Sequence, residues 1–232
     1  MKFIPFLSIL MITVSLHAQS TPQGVFHRTT EISDTQKIQE RWVIIDDYLV
    51  VTAFDSSSKQ FYYTYGGPSY FKDGFLKVTI EFSSNTAHHA REQLSLNYKD
   101  LGLVLSENSS VGDLKGVWVM TARKTNDSIR NRPLRSRRTL KILSESTFQW
   151  IAFDIEKNSF KGSGGGSYKT KDGHYTEHIE FFSRDSSRVG SDLKFDYLKQ
   201  NNQWIHSGFS SKGKPLYEIW TPLKIAEKQN RY

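Results

Sequence analysis

Shifted against itself by 99 positions, the sequence lays Ala53-Phe54-Asp55 on Ala152-Phe153-Asp154, Gly66-Gly67 on Gly165-Gly166, Lys72-Asp73-Gly74 on Lys171-Asp172-Gly173, and Ile80-Glu81-Phe82 on Ile179-Glu180-Phe181. The ungapped match runs from Ala53 to Tyr98 and holds 15 identities in 46 positions. A repeat of this length means that one folding unit is used twice, so a fold assigned to one half has to serve the other. The starts of the halves correspond too, Gly24-Val25-Phe26 with Gly116-Val117-Trp118, at a shift of 92 that implies a longer insert after the first strand of the second half.

Inside each half the hydrophobic period is two. Leu76, Val78, Ile80 and Phe82 fall on one face and Lys77, Thr79, Glu81 and Ser83 on the other, the pattern of a half-buried antiparallel strand. Turn residues recur at Asp46-Asp47, Lys72-Asp73-Gly74, Lys171-Asp172-Gly173 and Asn201-Asn202, spacings that suit hairpins. In the second half they predict eight strands, near 116–123, 136–143, 147–154, 159–169, 174–183, 192–199, 202–209 and 215–221. Eight up-and-down strands close into a small barrel, which removes the exposed edges. The first half shows matching strands from about residue 24 to 98 and one further strand around Leu101 to Leu105, but lacks a counterpart of Tyr217-Glu218-Ile219-Trp220. The fold expected is all-β, two tandem antiparallel barrels; one larger barrel built from both halves is the alternative.

Gly116-Val117-Trp118, Phe148-Gln149-Trp150 with Ala152, the run from Gly162 to Tyr168, Tyr175 to Phe181, Ser183-Arg184-Asp185, Trp204 to Gly208 and Tyr217 to Trp220 are the residues through which the second half resembles bacterial secreted lipocalin-like proteins of unknown function. The likeness spans most of residues 114–224, and the first half looks like a diverged copy. The resemblance implies a barrel with an internal pocket; unlike eukaryotic lipocalins, this chain shows no C-terminal helix pattern and has no cysteine for a disulfide. Domains are therefore expected at 1–18 (signal peptide), 19–112 (diverged lipocalin-like repeat) and 113–232 (lipocalin-like domain).

At the amino end, Lys2, the apolar run from Phe3 to Leu16 and Ala18 have the layout of a secretory signal peptide cut after Ala18, and predict export to the periplasm or medium. A permanent membrane anchor needs roughly 20 apolar residues, more than this run holds. With no Cys, the chain has no thiol nucleophile and no Cys-ligated metal, and an exported form must rely on core packing. Its 15 Phe, 11 Tyr and 5 Trp supply large areas to bury.

Aligning the halves separates packing positions from candidate functional ones. Where the first half has Leu76 and Val78, the second has Tyr175 and Glu177. An inward carboxylate is costly unless paired or protonated, so Glu177 is the sharpest anomaly in the chain. Trp204 and His206 alternate onto the same face of their strand, and Trp150 is placed to close the same cavity. The resulting candidate is a ligand site of Trp150, Tyr175, Glu177, Trp204 and His206, with Arg135 at its rim. Arg135 comes from the stretch 130–138, which holds five Arg in nine residues and lies in the long connection after the first strand of the second half. Such a rim suits a carboxylate, so the expected partner is a small, partly apolar molecule, an anionic amphiphile among the possibilities.

Other readings have less behind them. The glycines from Gly162 to Gly166 lack the terminal Gly-Lys-Ser/Thr of a phosphate loop and read as a barrel corner or as room for Trp150. His88 and His89 are adjacent and point to opposite faces of a strand, so no metal site is expected, and no cofactor. Despite a formal charge of +7, acidic and basic residues are interleaved, against nucleic-acid binding. No catalytic residue is assigned: Glu177 and His206 could serve a hydrolase as acid and base, but His-Glu-x-x-His and Gly-x-Ser-x-Gly motifs are absent. A non-catalytic scaffold with filled barrels is the other alternative.

Overall fold

The computed structural model describes residues 21–33, 36–108, 113–210 and 212–230; the expected signal segment lies outside them. Seventeen strands follow in order: β1 (Gly24–Ser33), β2 (Gln36–Ile45), β3 (Tyr48–Asp55), β4 (Gln60–Lys72), β5 (Phe75–Thr79), β6 (Phe82–Ser83), β7 (Gln93–Asn97), β8 (Val104–Asn108), β9 (Gly116–Thr125), β10 (Ser128–Asn131), β11 (Arg137–Leu143), β12 (Thr147–Asp154), β13 (Ser159–Lys171), β14 (His174–Phe182), β15 (Asp192–Gln200), β16 (Gln203–Phe209) and β17 (Pro215–Pro222). Asp46-Asp47, Asp73-Gly74, Asp172-Gly173 and Asn201-Asn202 take positive φ at both positions, the two-residue turn that matches strand twist.

In the second half β9, β11, β12, β13, β14, β15, β16 and β17 pair in succession, and β17 returns to β9, closing an eight-stranded antiparallel barrel. β10, which was not expected, folds back on the far end of β9. The first half is different. Its order is β7-β5-β4-β3-β2-β1-β8, with β6 on β4, and among the described residues its ends do not pair with each other. β8 lies on β1 at the edge that β17 takes on β9, so the strand without a counterpart is β16, not β17 as the sequence suggested. One of the two expected barrels is therefore closed and the other is an open sheet. The single larger barrel is not formed, since no strand of one sheet pairs with the other among the described residues.

The two sheets pack back to back. Val25, Val43, Ile45 and Val50 of the first half share one core with Val117, Val119, Leu140, Ile142 and Ile151 of the second. Alternate residues on the same strands turn the other way: Trp42, Ile44 and Leu49 into the first interior, Trp118, Met120 and Leu143 into the barrel. Strands buried on both faces need apolar residues in sequence, which is why Tyr48 to Val51 and Val117 to Met120 are nearly unbroken apolar runs. Inside the shared layer a polar cluster satisfies itself. Gln149 Nε2 donates to Thr64 Oγ1 (3.1 Å) and Ser163 Oγ (3.0 Å), while its Oε1 accepts from Thr52 Oγ1 (2.9 Å). Arg138 donates to Glu81 across the interface at 2.9 Å, and Arg41 bonds Glu180.

The expected alternation breaks at one point in each half. Leu76, Val78 and Ile80 face the first interior, but Phe82 faces the shared core. Likewise Tyr175 and Ile179 face the barrel, while Phe181 lies against Phe54 and Phe61 of the other half. In β14 the register shifts opposite Gly165 and Gly166, and one extra residue sends the following side chains to the opposite face. The glycines are needed there: a Cβ on Gly166 would sit 2.0 Å from the His178 carbonyl oxygen, and one on Gly67 1.9 Å from that of Thr79. The glycine run is thus a corner device, and Gly164 also leaves room for the Trp150 indole. A short helix, α1 (Leu223–Gln229), ends the described chain and inserts Leu223 and Ala226 into the shared core, contrary to the expectation of no C-terminal helix.

Because one core serves both sheets, the halves should unfold together. Ile151→Ala is expected to cost about 2–5 kcal/mol and to move a single urea transition, read alike by near-UV circular dichroism and by fluorescence; two separate transitions would show independent halves.

Candidate functional site

Leu140 and Ile142 of β11 are committed to the shared core, so Lys141 between them points into the barrel. There its Nζ donates to Glu177 Oε1 at 2.7 Å, with both side chains 5% exposed. β11 and β14 are separated by two strands, so the pair spans the interior. Around the ammonium lie the rings of Trp204 (4.9 Å), Tyr175 (5.0 Å), Trp220 (5.6 Å), Phe148 and Phe195 (both 5.9 Å). Ring faces carry negative potential and replace part of the lost hydration.

A second polar pair stands beside the first. His206 of β16 and Glu218 of β17 are register partners, and His206 Nδ1 is 3.5 Å from Glu218 Oε2. The imidazole packs against Phe195, Trp204 and Tyr175. Burial, then the Lys141 charge, lowers the His206 pKa below its ordinary value, so the ring is neutral at pH 7. Burial pushes the Glu218 carboxyl up, but His206, Lys141 and Arg123 outweigh it and hold it below the usual range, as a carboxylate. The Tyr175 phenol is raised well above its ordinary value by burial and by the Glu177 charge, which excludes a phenolate.

A cavity of about 240 Å³ adjoins these groups, walled by Lys141, Glu177, His206, Glu218, Trp150 and Trp220. It reaches the barrel end formed by Phe182, Leu193, Ser210 and Leu216, while Trp118, Leu143, Phe148 and Tyr168 pack the rest of the interior. On residues of its wall Trp220 Nε1 and His206 Nε2 are buried without a hydrogen-bond partner, and His206 Nδ1 has only the 3.5 Å approach of Glu218; Tyr175 Oη and Trp204 Nε1 are buried without a hydrogen-bond partner in the packing beneath.

Of the six residues singled out from the sequence, Glu177, His206 and Trp150 meet at the cavity. Tyr175 and Trp204 are buried next to it, with their rings facing Lys141. Arg135 is exposed and lines a separate hollow of about 410 Å³, which shares only Met120 and Thr139 with the cavity wall. Its rim position next to Glu177 is therefore corrected. Lys141, Glu218 and Trp220 were missed. The signal for Lys141 lay in the hairpin pairing: it pairs with Trp150 as Trp42 pairs with Val51, so the second half has a lysine where the first has a tryptophan. The self-alignment began at Ala53, after that position.

The first half has a buried acid of its own, Glu40, 1% exposed. It accepts from Trp42 Nε1 (2.9 Å), from Arg28 and from the Tyr63 hydroxyl. That carboxylate is saturated by its own half, whereas the barrel leaves donors open.

Among the described residues no group of three or more His, Cys, Asp or Glu is placed to hold a metal ion, and no helix is long and apolar enough to cross a membrane. A family described as a domain of unknown function (DUF4488) matches residues 113–231. No curated protein matches the chain.

Removing one partner of the buried pair strands the other charge. Lys141→Met or Glu177→Val alone is expected to cost about 3–5 kcal/mol, and the double variant to recover most of it, measured by urea denaturation. With the His206 pKa lowered on folding, the unfolded chain binds the proton more readily. Stability should therefore fall as pH drops below the ordinary value of 6.5 and level off once pH passes the folded value. His206→Phe should reduce the dependence of the urea midpoint between pH 7.5 and 5, leaving the part due to His27, whose pKa burial and Arg41 also lower.

Proposed function

Since the chain belongs to the DUF4488 family, whose description names no activity, we propose from the geometry that the closed barrel binds one small, partly apolar molecule beside Glu177, His206 and Trp220. One observation carries this: the indole N–H of Trp220 and Nε2 of His206, on two residues that line the cavity, are buried without hydrogen-bond partners. A buried polar group left unpaired costs about 1–3 kcal/mol, and a bound molecule that supplied the partner would return it. At about 240 Å³, the space exceeds the roughly 150 Å³ of an engineered cavity that holds benzene and falls short of the roughly 300 Å³ at which drug-sized pockets begin. The occupant is a molecule of about one substituted ring.

A hydrolase reading has less support. Glu177 is engaged by Lys141, and the carboxylate beside His206 is Glu218, 3.5 Å away. Scaffolding suits the first half, where Trp42 and a saturated Glu40 fill the place that the barrel leaves open. The lipocalin-like character of the barrel and its export belong to the same reading. Export rests on Lys2, the run from Phe3 to Leu16 and Ala18 alone.

Native mass spectrometry of the protein purified from its own host is expected to show a retained small molecule that is absent from Leu193→Trp, a substitution that fills the cavity mouth. Repeated preparations of the wild type without any adduct, together with no thermal shift from one-ring probes, would overturn the proposal.

A further inference from the structure

The unpartnered groups also say what the ligand carries. An indole N–H only donates, so the partner that Trp220 lacks is an acceptor. Trp220 pairs with Trp204 and Glu218 with His206, which makes Trp220 and His206 diagonal neighbours on one inward face, within reach of a single small group. The Nδ1 edge of His206 is turned to Glu218, at 3.5 Å, and its Nε2 has no partner. A carboxylate on the remaining edge would place an imidazolium between two anions, which is the arrangement that stabilises the protonated ring.

The charges facing His206 leave room for this exchange. Glu218 comes from β17, Lys141 from β11, and Glu177 with the neutral Tyr175 from β14; Tyr197, opposite His206 on β15, lies with its hydroxyl 3.5 Å from Asp113. Arg123 of β9 is the register partner of Glu218. On the cavity wall Lys141 stands against Glu177 and Glu218, so protonation of His206 brings the wall to neutrality, and Arg123, half-buried beside Glu218 and off the wall, adds a further positive charge nearby. Outside, Arg132, Arg135 and Arg137 line the neighbouring hollow and favour the approach of an anion.

Resting on the ligand-binding reading, we infer that the barrel takes a one-ring carboxylate whose oxygens accept from Trp220 Nε1 and His206 Nε2, and that His206 takes up one proton from solvent as the anion enters. No covalent bond changes: the ligand arrives as carboxylate, and the proton stays between it and the imidazole. Affinity rises as pH falls from above the bound-state pKa of His206 toward its free-state value, and stops rising there.

Isothermal titration with benzoate, benzamide and toluene separates this inference from the reading beneath it. Benzoate is expected to bind at least about tenfold more tightly than benzamide at pH 7, and its heat in phosphate and Tris buffers should report uptake of about one proton. Benzamide should bind with no proton uptake. His206→Gln, which keeps hydrogen-bonding capacity but cannot charge, should lose the proton uptake and most of the preference for benzoate; Trp220→Phe should weaken benzoate without abolishing uptake. Near-UV circular dichroism shows that each variant is folded. Benzamide or toluene binding at least as well as benzoate, or benzoate binding without proton uptake, overturns the inference while the cavity reading stands. If none of the three binds, both fall.

Discussion

The shared layer between the two sheets decides what the barrel contains. A barrel strand in water places its polar residues outward and its apolar residues inward. Here β9, β11 and β12 have their outer faces covered by the first half, through Val117, Val119, Leu140, Ile142 and Ile151. In β11 the outward positions are therefore aliphatic, and the polar residue that alternates with them is forced inward. Lys141 is in the barrel because Leu140 and Ile142 are in the interface. Packing two sheets back to back thus creates the buried cation, and the cation makes Glu177 tolerable on the opposite wall.

That pair is held at a cost to folding. Desolvating two ions commonly offsets their mutual attraction, and a buried ion pair is weak grounds for stability. The aromatic rings around Lys141 Nζ reduce the penalty, but the adjoining His206 and Glu218 add to it. The first half resolves the same problem by saturation: Glu40 accepts from Arg28, Trp42 and Tyr63. Both interiors contain an acid; among the described residues Trp220 and His206 stand unpartnered beside the barrel cavity, and in the first half Arg41 Nη1 is likewise unpartnered on a residue that lines a hollow outside its interior. Polar groups left unsatisfied within an otherwise well-packed fold are where function is expected to reside.

Much of this was legible from alternation and turn chemistry. The eight strands of the second half lie within two residues of their expected positions at every end, and Tyr175, Glu177, Trp204 and His206 point inward as a period of two requires. Alternation failed where the chain departs from it. Phe82 and Phe181 face the shared core because an irregularity precedes each, and a sequence pattern alone does not reveal a bulge. Lys141 was hidden for another reason: a lysine between two aliphatics reads as a solvent-facing residue unless the outer face is known to be covered, and that cover comes from residues about a hundred positions away. Glu218 was more accessible, since it shares a face with Trp220 as His206 does with Trp204, but only once β16 and β17 are paired. The placement of Arg135 depends on the path of an irregular connection, which periodicity does not describe.

The missing strand explains why the two interiors differ. Between β7 and β8 the first half runs through a 3-10 turn, Tyr98–Leu101, with Leu101 buried against its interior, where the second half has a turn, the whole of β16 and another turn. β16 is the strand that carries Trp204 and His206. Without it the first half lacks both the closure that would shield a cavity and the residues that would line one, so its interior closes on its own Trp42, Tyr63 and Tyr65. What it retains is the outer face of β1, β2 and β3, and that face turns Lys141 inward. The open sheet therefore shapes the site in the barrel without contributing a residue to the cavity wall.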